Sequence, residues 1–220
     1  MKSRPEPTTT AFAILGMIAI RPMSPYELAG WFDRSLGKLW PRARSKLFEG
    51  PKNLVALGYA KALKERSGGR GKTIYSITPA GRRALASWLE QPGTGPQIEF
   101  EQLLKVFYVE HGSKRGALAN LRAAADWAHE QIEHNAEVGR IYLAGKGPFQ
   151  ERAAQVYLTG VFLSELSLLV DTWARWAVDV AEKWPADMKD ATPDREALAA
   201  ITRKLERRLS TLRKLREESA

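Results

Sequence analysis

At 220 residues, 44% hydrophobic and 27% charged, the chain has the make-up of one or two folded domains, which excludes a disordered polymer. It contains no cysteine, which excludes disulfides, cysteine-ligated zinc, iron–sulfur clusters and a thiol nucleophile, and fits a reducing compartment. The formal charge of +9 is unevenly placed: residues 1–92 carry 16 Lys/Arg against 6 Asp/Glu, and residues 93–220 carry 18 against 19.

Such polarity points to a basic, polyanion-binding module followed by a neutral one with another task. A basic surface that is merely solvated accounts for the same charge. The opening MKSRPEPTTT lacks the charged, apolar and cleavage regions of a signal sequence, and residues 1–9 read as a flexible arm. Thr8 to Ile20 is apolar and alanine-rich, with Phe12, Ile14, Leu15, Met17 and Ile18, and predicts a buried helix. Arg21-Pro22 ends it. Ser24 then caps a second helix, with Pro25 at its first position and Glu27 three residues after the cap. A third helix is predicted from Pro41 to Gly58, carrying Leu47, Phe48, Leu54 and Leu57 toward the core. Its Gly50-Pro51 step is awkward, because proline kinks or restarts a helix.

The period then changes. Tyr59–Arg66 and Lys72–Thr78 read as two strands joined by Ser67-Gly68-Gly69-Arg70-Gly71, and Thr78-Pro79 opens a helix to about Glu90. Three helices, a hairpin and a fourth helix over residues 10–91 make a winged helix-turn-helix. Residues 92–98, rich in Gly and Pro, are the expected linker.

Residues 99–220 read as all-helical. Phe100 to Tyr108, Lys114 to Leu143, Phe149 to Trp184 and Pro193 onward each have helical spacing. The most apolar stretch, about Ala153 to Val180, is interrupted by Gln155, Glu165, Asp171, Arg175 and Asp179. It therefore reads as a buried helix and not a membrane span. In the last helix Leu198, Ile201, Leu205, Leu209, Leu212 and Leu215 recur every three or four residues between Lys and Arg. A single helix cannot bury that stripe alone, so either dimerisation or folding back on its own domain is expected.

The stretch GGRGKT, residues 68–73, ends like a phosphate-binding P-loop, but Arg66 stands where the first glycine belongs and the strand-like Ile74-Tyr75-Ser76-Ile77 follows where a helix is required. It reads as the tip of a wing, with Arg70 and Lys72 placed to meet phosphate. In the third helix Arg42, Arg44, Ser45, Lys46 and Lys52 form the candidate DNA-reading set. His129 and His134 are five apart and diverge around their helix, so no metal site is expected. Nor does any nucleophile have an evident base, and neither enzyme activity nor a cofactor is expected.

The runs AFAILGMIAIRPMSPYEL, LGKLWPRARSKLFEGPKNLVALGYAKA and GGRGKTIYSITPAGRRALASWL, covering almost all of residues 10–91 in order, resemble the PadR family of bacterial transcriptional regulators. EFEQLLKVFYVEH and the long aromatic helix after it resemble the helical half of longer members. Two departures are Phe48, where the family commonly has Tyr, and the Gly50-Pro51 interruption. The resemblance implies a cytoplasmic homodimer, usually a repressor, on an inverted-repeat operator in double-stranded DNA. Leu198, Ile201, Leu205, Leu209 and Leu212 would then lie in the dimer interface. It also implies, in some relatives, release by aromatic small molecules, for which Trp127, Trp173 and Trp176 are the candidate pocket; core packing explains the same tryptophans. The competing class is a winged-helix protein-interaction module whose basic face meets an acidic partner protein.

Overall fold

The computed structural model describes residues 7–67 and 70–218, and the side chains of residues 35, 42–44, 65–67 and 70 are outside that description. Most of the predicted N-terminal arm, and Gly68 and Gly69 at the wing tip, therefore lie outside it. The chain divides into two compact units, Met1–Pro96 and Gln97–Ala220.

The first unit is a winged helix-turn-helix built around helix α1 (Thr9–Ile20), whose Ile14, Leu15, Met17 and Ile18 are buried. Thr8 caps α1 by accepting from the Ala11 N–H. Helix α2 (Pro25–Ser35) starts in a complete capping box between Ser24 and Glu27 and buries Leu28 and Phe32. After the 3-10 turn Pro41–Lys46 comes helix α3 (Gly50–Ala56). The expected single third helix is thus two pieces. Pro51 stands in the first turn of α3, where a missing N–H costs nothing, so Gly50-Pro51 begins a helix instead of bending one. The expectation that Phe48 faces the core is also corrected: Leu47 and Leu54 are fully buried, whereas Phe48 is 47% exposed.

Strands β1 (Ala60–Ser67) and β2 (Arg70–Ile77) pair antiparallel from Ala60↔Ile77 to Ser67↔Arg70. Met23, between α1 and α2, adds a single isolated bridge to β2 by exchanging both backbone hydrogen bonds with Tyr75 (3.0 and 2.8 Å). Helix α4 (Pro79–Leu89) is capped by Thr78, whose hydroxyl accepts from the Gly81 N–H (3.0 Å) and donates to the Gly58 carbonyl (2.7 Å). Trp88 stacks on Phe12 with ring centroids 5.0 Å apart, joining α4 to α1.

The second unit is helical: α5 (Glu101–Phe107), α6 (Lys114–Leu143), α7 (Ala153–Glu182) and α8 (Arg195–Glu218). Helices α6 and α7 form an antiparallel hairpin, closed at one end by Leu121, Ala177 and Ala181 with Val106, Leu118, Trp173, Val178 and Trp184 around them. The Lys114 ammonium donates to the carbonyls of Glu182 and Trp184 and so caps the end of α7. The expectation of a wholly buried α7 is corrected. Ser167, Val170, Ala174, Ala177 and Ala181 are buried, while Tyr157, Leu158, Val161, Phe162, Leu168, Leu169 and Trp176 are exposed. Residues 150–182 are long and apolar enough to cross a membrane by length and hydropathy alone. Their packing partner α6, however, carries Lys114, Arg115, Arg122, Asp126, Glu130, Glu133, Glu137 and Arg140, so the hairpin as a pair is suited to water.

Candidate nucleic-acid interface

The basic surface of the first unit is organised by how α3 is pinned. Gly50 lies so close to the Ile14 side chain of α1 that a Cβ there would overlap Ile14 Cδ1. With Gly50, Pro51 and Leu54 buried, and Leu47 before them, the segment presents its other side to solvent. That side carries Ser45, Lys46, Phe48 and Lys52, all exposed. The members Arg42, Arg44 and Arg70 of the predicted set have side chains outside the described residues.

The wing is tied to α2 by a contact between residues 45 apart in the chain. The Lys72 ammonium donates to Glu27 Oε1 at 2.9 Å, while Glu27 Oε2 accepts from the Ser24 N–H (2.9 Å) and hydroxyl (2.8 Å). First the Ser24 backbone bond, then the Lys72 bond, hold the Glu27 carboxyl at about 2 against an ordinary 4.5. Lys72 is therefore not a loose cation at a loop tip. It ties the outer part of the wing, two pairs from the Ser67↔Arg70 end, to the start of α2 while staying 44% exposed.

Because the folded value is depressed, this contribution is complete above pH 4.5 and is lost as pH falls toward 2. Both side chains are more than a third exposed, so solvent screening keeps the ion pair itself small. Glu27→Ala is expected to lower stability by about 1 kcal/mol at neutral pH, chiefly through the lost cap. Melts at pH 7 and pH 2.5 check this: the wild-type advantage should shrink in acid, and an advantage independent of pH would contradict it.

Two features of this surface were missed from the sequence. Tyr26 is 80% exposed and meets Phe48 edge-to-face, with centroids 5.5 Å apart. The signal was there, since the helical period that buries Leu28 and Phe32 turns Tyr26 outward. Trp31 carries the guanidinium of Arg34 at 4.6 Å and that of Arg21 at 5.3 Å from its ring centroid, two cation–π contacts on one ring.

In the second unit, Leu198, Ile201, Leu205, Leu209 and Leu212 of α8 are 40–58% exposed, and no residue of that helix is buried. The stripe does not fold back on its own unit. Trp173 packs into the hairpin core and meets Phe100 edge-to-face at 5.6 Å, while Trp127 and Trp176 are partly exposed. Neither of two described cavities, one along α8 beside Leu209 and one beside Lys38, is lined by these tryptophans. His129 pairs with Glu133 at 3.4 Å along α6. Among the described residues no group of His, Asp and Glu is placed to hold a metal.

No family model matches the chain. It is 26% identical over 108 residues to the negative transcriptional regulator PadR of Bacillus subtilis, covering 48% of this chain and 59% of that protein. It is 32% identical over 81 residues to a probable transcriptional regulator of Mycobacterium tuberculosis, covering 36% of this chain and 43% of that protein. The chain thus spans about half the length of the curated relatives it matches. Among solved structures, Bacillus subtilis PadR in complex with operator DNA superposes with a TM-score of 0.67 at 19% identity, covering 79% of this chain and 99% of that one. The same PadR in complex with p-coumaric acid gives 0.60 at 18% identity, covering 80% and 100%. The virulence activator AphA of Vibrio cholerae gives 0.56 at 22% identity, covering 80% and 97%. These structural likenesses establish the fold.

Proposed function

We propose that the chain is a PadR-family transcriptional regulator that binds double-stranded DNA sequence-specifically as a homodimer, acting as a repressor in the cytoplasm. The observation that carries this reading is the solvent-facing side of the α3 segment. Core packing fixes it from behind, and Ser45, Lys46, Phe48 and Lys52 stand on it in the half of the chain that holds the whole positive excess. Cations neutralise phosphate and release counterions, while a rigid element offered edge-on can enter a major groove. The relative solved with operator DNA supports the same reading.

Two copies would join through the helical unit, whose α8 stripe and outer α7 face are the apolar surfaces a monomer leaves uncovered. An aromatic effector is part of the proposal, supported by the PadR complex with p-coumaric acid and by Trp127 and Trp176 on the hairpin surface. Binding to an acidic protein through the basic face is the disfavoured alternative, since the relatives are regulators of transcription.

The double variant Lys46→Ala/Lys52→Ala tests the surface. If each lysine holds a phosphate, the slope of log affinity against log salt should fall by about 1 per lysine removed in each protomer. Fluorescence anisotropy on a promoter duplex between 50 and 200 mM salt measures it. An unchanged slope would place the DNA elsewhere.

A further inference from the structure

Phe48 is an exposed aromatic on the basic surface. In its segment Leu47 and Leu54 are fully buried and Val55 is 37% exposed, whereas the larger Phe48 ring stands 47% exposed between the exposed cations Lys46 and Lys52 in the chain. Exposed aromatics cost solubility unless they meet something apolar. Tyr26 braces the ring edge-on, 5.5 Å between centroids at 78°. Tyr26 in turn is fixed in the first turn of α2, next to Glu27, which Ser24 and Lys72 hold. The ring is therefore presented, not left over.

Its surroundings restrict what it can meet. The flanking cations Lys46 and Lys52 attract a polyanion, while the ring itself offers no charge or hydrogen-bond donor to a phosphate. Within a DNA groove the apolar group available away from the phosphates is the thymine 5-methyl, which phenylalanine side chains contact.

We propose that Phe48 reads the 5-methyl group of a thymine in the major groove, with Tyr26 as the residue that positions its ring; this rests on the DNA-binding reading above. Phe48 then contributes specificity, while the lysines beside it contribute affinity irrespective of sequence.

The test selects duplexes from a random pool with the full-length chain, then replaces each thymine of the selected duplex in turn by deoxyuridine, which removes only the methyl group. At one position per half-site, deoxyuridine should weaken the wild type about fourfold, the worth of one buried methyl. Phe48→Ala should bind thymine and deoxyuridine duplexes equally, and Phe48→Leu should keep part of the difference. Tyr26→Phe, which retains the ring, should preserve the discrimination, and Tyr26→Ala should reduce it. A selected duplex on which no deoxyuridine matters, or on which Phe48→Ala pays the same penalty as the wild type, overturns the inference and leaves DNA binding standing. A pool from which nothing is enriched overturns both.

Discussion

Leu205→Asp/Leu209→Asp is expected to give a monomer, with a mass by light scattering near 24.6 kDa where the wild type shows about twice that. The two side chains lie at the middle of α8, with Ile201 on one side and Leu212 on the other, and each is more than half exposed in the single chain. A 24-residue helix with no buried residue has little beyond its own propensity to hold it, and isolated helices are marginal in water. Packing the stripe against another copy would remove each aliphatic side chain from water, worth about 1.5–3 kcal/mol apiece when complete. An aspartate at such an interface forfeits that burial and adds the cost of desolvating a charge.

Loss of the dimer should carry loss of DNA affinity, because linking two reading heads makes the second contact intramolecular. Separation is expected to cost about a hundredfold or more on a two-half-site duplex. The first unit should keep its own melting transition, since no substituted residue belongs to it. A double variant that remains dimeric would show that α8 is dispensable and that the outer face of α7 holds the copies together.

Gly81→Ala is expected to unfold the first, winged-helix unit at a temperature at least 10 °C lower. A Cβ at Gly81 would overlap the Tyr59 carbonyl oxygen and come within 2.9 Å of Ile77 Cγ1. Backbone cannot yield as a flexible side chain does, so α4 must move away from the start of the hairpin. That movement strains three bonds at once: Thr78 N–H to Tyr59 O (3.0 Å), Thr78 hydroxyl to Gly58 O (2.7 Å) and Gly81 N–H to the Thr78 hydroxyl (3.0 Å). Overpacking of this kind costs about 1–3 kcal/mol and a lost cap about 1 more. In a domain of this size each kcal/mol is worth about 4–8 °C. Gly93→Ala, with nothing within 4 Å of the added Cβ, is the matched control and should melt like the wild type. A Gly81→Ala protein that does the same would show that α4 is not seated as described.

What the sequence made legible is what local chemistry decides. Ser24-Pro25-Tyr26-Glu27 and Thr78-Pro79 state their caps within four residues, and both helices start there. Helix α6 spans Lys114–Leu143, as its periodicity predicts, because Ser113 caps it and Gly145, at φ 69°, follows its end. What escaped depends on distant partners. Leu47 and Leu54 are seven residues apart, which one continuous helix satisfies as well as a turn followed by a short helix. Only the packing of Gly50 on Ile14 distinguishes them. Phe48 was assigned inward for the same reason. The Lys72–Glu27 pair spans 45 residues, beyond any local pattern. Helix α7 looked buried because its composition is apolar, but burial needs a covering surface, and α6 covers one face only.

The candidate site was legible as a region and not as a set of atoms. Charge pointed to the first 92 residues, and the cluster of Arg42, Arg44, Ser45, Lys46 and Lys52 pointed to the third helical segment. The outward aromatic pair Tyr26–Phe48 needed coordinates.

The central claim, sequence-specific DNA recognition by this fold, is tested most directly by anisotropy titration of the full-length chain against its own gene's promoter and a scrambled duplex of equal length and composition, at one physiological salt concentration. Binding to the promoter at least a thousandfold tighter is the predicted result. Equal affinity for both duplexes would contradict it.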